Sequence, residues 1–366
     1  MKTYPLPSIS IEEATRMQYK FVDEITKVFT GTEILNRGDL GVVPGYNRPL
    51  TTVKVEEVLA NFFNAETAML VRGAGTMAIR LALYACIPKN GTLLIHDAPV
   101  YKTTQTTIDM FSLKVVRANF NDLEALKKVL EKEKVDGALV QLTRQKPDDS
   151  YSSQEIIDTI RSIRKDIPII TDDNYAVMKI PKIGIEQGAD LSCFSTFKLL
   201  GPEGVGCIVG KKETIEKIRG ENYSGGLQVQ GHEAMDVLRG MIYAPVSLAL
   251  SAQVAVEVCE RLNNNEMDGI KEAYIANAQS KVILVTFEEA IAQEVLKYAE
   301  KFGAAPNPVG AESQYEFVPM FYRVSSTFKD AIPNVEDNTI RINPMRAGAD
   351  TILRILKKSL DNVVSN

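Results

Sequence analysis

Lys198 lies in "FSTFKLLGPEGVG" (194–206), between an apolar run that ends in a Ser-Thr pair and a Gly-Pro-Glu-Gly turn. An amine at the end of an apolar run can attack a carbonyl group, and burial or nearby cations can tune it to act as a base. A second stretch, "IPIITDDNYAV" (167–177), ends an apolar run with Asp172, Asp173, Asn174 and Tyr175. A carboxylate there can hold a proton or a cation in place. A third, "LVRGAGTMAIR" (70–80), sets Gly73, Ala74, Gly75 and Thr76 between a strand pattern and a helix pattern. Glycines at that junction let an anion approach the free N–H groups of a helix start.

The elements that must position these groups follow from the apolar pattern. Strands are expected at 67–71, 92–97, 113–118, 137–142, 167–172, 190–195 and 204–210. Helical patterns lie between them, at 76–86, 122–134 and 153–166. Strands alternating with helices predict an α/β fold, a mostly parallel sheet covered by helices on both faces. A long helix is expected from Asp236, leading to a smaller C-terminal α/β domain with strands at 280–287, 315–324 and 339–345 and a last helix from Asp350. The resulting division is an N-terminal arm and helix over 1–45, a large domain over 46–250 and a small domain over 251–366.

Ligands of open α/β sheets bind beyond the carboxyl ends of the strands. Three strand ends therefore offer an anion cradle, a carboxylate and a lysine at one edge. Pyridoxal 5'-phosphate needs that set: a helix N-terminus and hydroxyls for phosphate, an amine for its aldehyde, and a carboxylate for its pyridine nitrogen. A rival stands beside it. Gly73, Gly75 and Ala78 fit a G-x-G-x-x-G/A dinucleotide fingerprint, and Asp97 lies about where a ribose-binding acid is expected, which would make the chain an NAD-dependent dehydrogenase.

From about residue 40 to 361 the chain resembles the fold-type I pyridoxal-phosphate enzymes. "FSTFKLLGPEGVG" is similar to the lysine segment of selenocysteine synthase-like proteins. "YNRPLTTVKVEEVLANFFNAETAMLVRGAGTMAI" and "VYKTT" (100–104) resemble the cystathionine γ-synthase and β-lyase group. "TDDNY" resembles the acidic motif of aminotransferases and of a γ-lyase-like branch. "TIRINPM" (339–345) resembles the late strand whose arginine holds a substrate carboxylate. The resemblance implies Lys198 as the Schiff-base lysine, Asp172 at the pyridine nitrogen with Asp173 as the other candidate, and Tyr175 at the ring oxygen. It implies Ala74, Gly75, Thr76 and Ser195 around the phosphate, Tyr101 stacked on the ring, and Tyr46 and Arg48 reaching the phosphate site of a neighbouring subunit. Arg341 would grip the substrate carboxylate, with Arg144 a second candidate near the ring. The chain departs from the pattern at Lys102, where the lyase group has glycine, and lacks an Asn-Pro-x-Gly over 141–150.

The expected activity is that of a pyridoxal-phosphate enzyme of amino-acid metabolism. It acts on a small amino acid through an external aldimine and α-proton abstraction, as a lyase or side-chain-replacing transferase. An aminotransferase and a selenocysteine synthase-like transferase are the alternatives. Only Arg341 is marked out as a carboxylate grip, which points to a neutral or sulfur-bearing substrate. The chain has 366 residues with net charge 42 − 47 = −5, 45% hydrophobic and 24% charged residues, four cysteines and two histidines. An acidic balance argues against nucleic acid or an anionic membrane as partner. Scattered cysteines without CxxC spacing and two histidines give no expectation of a metal. No apolar run is expected to span a bilayer, no signal peptide is read, and the expected location is the cytoplasm, as a homodimer or homotetramer with shared active sites.

Overall fold

The computed structural model describes residues 2–277, 281–324 and 334–364. The chain divides into two compact units: Glu12–Leu142 with Tyr151–Pro245, and Met1–Ile11 with Thr143–Ser150 and Val246–Asn366. The larger unit contains α1 (Ile11–Val28), α2 (Gly31–Ile34), α3 (Leu50–Phe62), α4 (Ala74–Cys86), α5 (Lys102–Met110), α6 (Leu123–Lys132), α7 (Ser153–Ile163) and α8 (Lys212–Glu221). Its seven strands are β1 (Thr67–Arg72), β2 (Thr92–His96), β3 (Lys114–Ala118), β4 (Gly137–Gln141), β5 (Ile169–Asp172), β6 (Leu191–Ser195) and β7 (Val205–Gly210). They form one sheet in the order β1-β7-β6-β5-β4-β2-β3. All seven expected strands are present to within two residues at each end.

The β2–β3, β2–β4, β4–β5 and β5–β6 pairs are parallel. Strand β7 runs antiparallel to both β6 and β1. The link from Ser195 to Val205 is too short for a crossover, which takes a dozen or more residues, so β7 must turn back. One sheet face buries Met69, Val71, Ile95, Ile170, Cys193 and Ile208 under α4, α5 and α8. The other buries Leu94, Ala138, Val140 and Ile169 under α6 and α7. Local signals start both of those last helices. Asp122 accepts the Ala125 N–H at 3.0 Å, and Ser152 accepts that of Glu155 at 3.4 Å, satisfying amides left over at the first turn.

Helix α9 (Gly231–Asn263) starts five residues before the expected Asp236, because Glu233 reaches back to the Gln230 N–H at 2.8 Å and closes the first turn. The expectation that no segment suffices to span a bilayer is corrected here. This helix is long and apolar enough by length and composition, with mean hydropathy 1.5 over 18 residues, and half of that window is buried inside the protein.

The smaller unit has an antiparallel sheet of β8 (Ile270–Ile275), β9 (Ile283–Phe287), β10 (Met320–Arg323) and β11 (Thr339–Asn343), ordered β10-β11-β9-β8. With α10 (Ala292–Lys301), α11 (Val335–Asn338) and α12 (Ala349–Val364), it packs Ile283, Val285, Phe321, Ile340 and Ile342 against Val295, Ala299, Ile352 and Leu356. Strand β10 is shorter than the expected 315–324, because Glu316 turns inward to bind loop amides. The start of the strand expected at 280–287 lies outside the described residues. Residues 143–150 fall in this unit, although the linear reading placed them in the large domain. The Asn277 amide donates to the carbonyls of Lys146, Pro147 and Asp149, a long-range clamp that local patterning cannot reveal.

Candidate active site

Strand direction decides what meets at the edge of the large sheet. Parallel β5 and β6 end there in Asp172 and Ser195. Strand β1 is antiparallel to β7, which is antiparallel to β6, so Arg72 and the Gly73 turn emerge at the same edge. Gly206 on β7 lies so close to this turn that a Cβ there would meet the Ala74 carbonyl oxygen at 2.2 Å. The Gly73 and Ala74 N–H groups both donate to the Gly204 carbonyl, at 2.7 and 2.9 Å. Ala74 sits at φ 55°, a left-handed conformation uncommon for a residue with a Cβ. Its amide is spent on Gly204, which corrects its expected place among the phosphate donors. The amides of Gly75 and Thr76 open α4 with no acceptor among the described residues, at the positive end of a 13-residue helix. The Thr76 hydroxyl is 3.5 Å from that of Thr103 in the first turn of α5, the helix that Tyr101 begins.

Asn174 ties this turn to the strand ends. Its Nδ2 and backbone N–H donate to Asp172 Oδ1 at 2.8 and 3.1 Å, and its Oδ1 accepts the Ser195 N–H at 3.0 Å. A Cβ on residue 75 would meet the Asn174 amide at 2.6 Å, so only glycine fits there. The sequence reading assigned Asn174 no role, although it stood inside the quoted "TDDNY". Its signal was a short amide side chain next to two acids, a common turn former, and only the fold makes it a bridge of three segments.

The two acids have different fates. Asp173 is fully buried, with one oxygen bound by the Thr171 hydroxyl at 2.5 Å and the other by the Gly184 N–H at 2.8 Å. Burial pushes its pKa up to about 7 against those hydrogen bonds. Asp172 is also buried, and burial raises its pKa, opposed by the Asn174 hydrogen bonds and by the positive charge of Lys198. The Lys198 Nζ lies 3.8 Å from the centroid of the Tyr175 ring, whose other cationic neighbour, Lys179, is at 5.2 Å. Tyr175 takes φ 65°, which turns the chain sharply after the acids. Lys198 itself rides on a 3-10 turn, Thr196–Leu199, anchored by the Thr196 hydroxyl on the Val205 carbonyl at 2.9 Å. The structure thus brings together Lys198, Asp172, Tyr175, Ser195, Gly75 and Thr76, with Tyr101 at the neighbouring helix start.

The remaining expected residues lie elsewhere. Tyr46 is half exposed, and its carbonyl accepts from Arg48 at 3.0 Å. Arg48, expected to reach a neighbour's phosphate site, pairs within its own chain with buried Glu56 at 2.8 Å, which Arg219 also meets at 2.9 Å. Arg144 and Arg341 belong to the smaller unit. Arg144 donates to the Tyr4 carbonyl. Arg341 is buried, alternates along β11 with the core residues Ile340 and Ile342, and lies 5.8 Å from the Tyr322 ring centroid. No described residue gives its guanidinium a hydrogen bond or an ion pair. The cysteines are free thiols; those of Cys193 and Cys207 are pushed well above their ordinary range by burial, which removes them as nucleophiles.

The dinucleotide reading fails on topology. A dinucleotide crevice needs the ribose-binding acid on the strand next to the glycine turn. Here β1 is the sheet edge with β7 as its neighbour, and Asp97 follows β2 at the far side of the sheet.

The chain matches known proteins over nearly its whole length. The chain is 50% identical over 363 residues to the uncharacterized protein YhfS of Escherichia coli (strain K12), covering 99% of this chain and 100% of that one. The crystal structure of YhfS, a pyridoxal-5'-phosphate dependent protein, superposes with TM-score 0.97 over 99% of this chain and 100% of its own. Cystathionine gamma lyase (CalE6) from Micromonospora echinospora shares the fold at TM-score 0.76 and 14% identity, over 94% of this chain and 99% of its own. A shorter match, 36% identity over 91 residues, links 22% of this chain to 19% of the L-seryl-tRNA(Sec) selenium transferase of Clostridium perfringens. A YhfS-like C-terminal domain model matches residues 256–356, and the aminotransferase class-V model matches residues 51–281. The chain therefore belongs to the aminotransferase class-V family, within the fold-type I pyridoxal-phosphate enzymes.

Proposed function

We propose that this chain is a pyridoxal-phosphate enzyme that breaks a bond at the α-carbon of a small amino acid, as a lyase or side-chain-replacing transferase. The observation that carries the reading is the placement of Lys198 over Tyr175 and beside buried Asp172, at the strand ends that face the start of α4. The donor set fits the cofactor. Gly75 and Thr76 amides and the Thr76 hydroxyl suit a phosphate dianion, Tyr101 suits the ring face, and Lys198 would hold the cofactor covalently. Asp172 is favoured over Asp173 for the pyridine nitrogen: both Asp173 oxygens are taken by sheet-side donors, whereas Asp172 feels the charge of Lys198. When bound, the protonated ring supplies an electron sink for the bond broken at the α-carbon. A carboxylate buried as deeply as Asp172 favours a cationic partner, so it would keep a ring nitrogen protonated. Lys198 takes the α-proton from the substrate carbon and can return it. Tyr175 and Tyr101 are the available acids for a leaving group. Arg341, which has no acceptor among the described residues, would bind the α-carboxylate through two parallel N–H donors.

Residues 35–50 expose Leu35, Leu40, Val42, Tyr46 and Leu50 along one segment of the larger unit. We assign this patch to a second copy of the chain, with Tyr46 completing the neighbour's phosphate site. A monomer that retains cofactor would remove that assignment.

Borohydride reduction followed by peptide mass spectrometry should place the cofactor adduct on Lys198, and Lys198→Ala should abolish it. An adduct on another lysine would sink the site. A panel of amino acids offered without any keto acid should then give ammonia over many turnovers. The family's aminotransferase name supports a second reading: one turnover, restarted only by a keto acid, would establish transamination instead.

A further inference from the structure

Lys198 has a second lysine close to it, Lys179, to which the sequence reading assigned no role. Lys179 ends the short turn that carries the chain from β5 past Tyr175. The Ala176 and Val177 N–H groups donate to the Asp173 carbonyl at 2.9 and 3.2 Å, and the Lys179 N–H donates to the Ala176 carbonyl at 3.0 Å. Met178 and Ile180 are buried, so the backbone at 179 is fixed on both sides. The Lys179 Nζ lies 5.2 Å from the centroid of the Tyr175 ring, and the Lys198 Nζ lies 3.8 Å from the same centroid. The two amino nitrogens can therefore be no further apart than the sum of those distances, 9.0 Å. A positive charge at that range disfavours a second one.

The other groups around Lys198 do not duplicate this effect. Asp172, at the end of β5, attracts its charge, and Asp173 is sequestered by Thr171 and Gly184. Strands β6 and β7, which flank the Lys198 turn, hold no charged residue, and burial keeps the Cys193 and Cys207 thiols neutral. Helix α4 carries only Arg80, whose Nε donates to the Thr107 hydroxyl at 3.3 Å. Helix α9 meets the turn through Gly240 against the Leu200 carbonyl, and the adjacent Arg239 pairs with Asp236 at 2.7 Å. Glu203, in the loop before β7, is exposed. Lys182, the next cation after Lys179, is exposed and its charge acts on Glu186. Of these cations, Lys179 is the one that shares the Tyr175 ring with Lys198.

We propose that Lys179 is a positioning residue for Lys198: its positive charge, held at the Tyr175 ring, makes the Lys198 amine release its proton below the ordinary lysine range and so act as a base. This rests on the reading of Lys198 given above. The test is a pH titration of the holoenzyme's cofactor absorbance, paired with acetic anhydride labelling of Lys198 in the full chain stripped of cofactor, read by peptide mass spectrometry. Lys179→Met should raise both midpoints by about one pH unit, the scale of two charges at this separation in a partly buried site. Lys179→Arg keeps the charge and should hold both within about 0.3 unit of the parent. In the unsubstituted chain the Lys198 labelling midpoint should lie below the ordinary lysine value of about 10.4. A midpoint at or above that value would overturn the proposal, even if Lys179→Met does not fold. So would an unshifted midpoint in folded Lys179→Met, or a shift that Lys179→Arg fails to reverse. A cofactor adduct on Lys198 with equal midpoints in parent and Lys179→Met removes this inference alone. With no adduct on Lys198 the cofactor reading falls, and the labelling midpoints still decide whether Lys179 tunes the amine.

Discussion

Two strand ends carry paired like charges and treat them in opposite ways. At the end of β5, Asp172 and Asp173 are buried, and local donors already serve them: Asn174 for the first, Thr171 and Gly184 for the second. Near the end of β11, Arg341 is buried with the Tyr322 ring beside its guanidinium, and just beyond the strand Arg346 keeps a buried Nη2 without an acceptor among the described residues. The acid pair is held in place by donors that the fold itself supplies. The arginines have no comparable set of acceptors among the described residues. A buried charge is costly without a partner, so the fold holds the two acids more completely than the two arginines.

The largest expected effect tests the acid pair. Asp172→Asn should lower kcat by about 1,000-fold, the scale of losing a charge that acts in the transition state, whereas Asp173→Asn should stay within about tenfold. Steady-state rates with saturated cofactor decide it, and a reversal of the two would make Asp173 the ring partner. Next, Arg341→Lys should raise KM by roughly 100-fold with little change in kcat, because an ammonium cannot reproduce a bidentate grip. A fall in kcat alone would mean that Arg341 does not bind ground-state substrate. Asn174→Ala should cost on the order of 10-fold in kcat/KM by freeing the Asp172 carboxylate, and should shift the pH profile of the bound cofactor's absorbance. An unshifted profile would reduce Asn174 to a structural residue.

The smallest effect concerns stability. Between its ordinary value of 3.8 and about 7, Asp173 holds a proton in the folded chain that the unfolded chain has released. The unfolded state then binds fewer protons, so this group's contribution to stability declines as pH rises through that window. Asp173→Asn should therefore raise Tm relative to the parent at pH 8, by a few degrees in scale, and the gain should shrink towards pH 4. Thermal melts at the two pH values check the sign, and a gain that is equal at both would contradict a buried, proton-binding Asp173.

The sequence alone determined the alternation of strands and helices, because apolar period and turn residues are local properties. It also brought Lys198, Asp172 and the Gly75 turn into one argument, since carboxyl ends of parallel strands share an edge whatever the details. The tertiary structure decided what depends on contacts distant in sequence. Whether the glycine turn serves a dinucleotide or another anion turned on strand order, which no local pattern encodes. Asn174 became a bridge only when Gly75 and Ser195 arrived beside it. Arg48 gained Glu56, and residues 143–150 were claimed by Asn277. Asp172 and Asp173 are identical in type and adjacent in sequence, and they were told apart by which donors each found on folding. Arg346 looked like any arginine in a turn until burial closed over its Nη2, because the cost of an unpaired buried donor exists only in the folded chain.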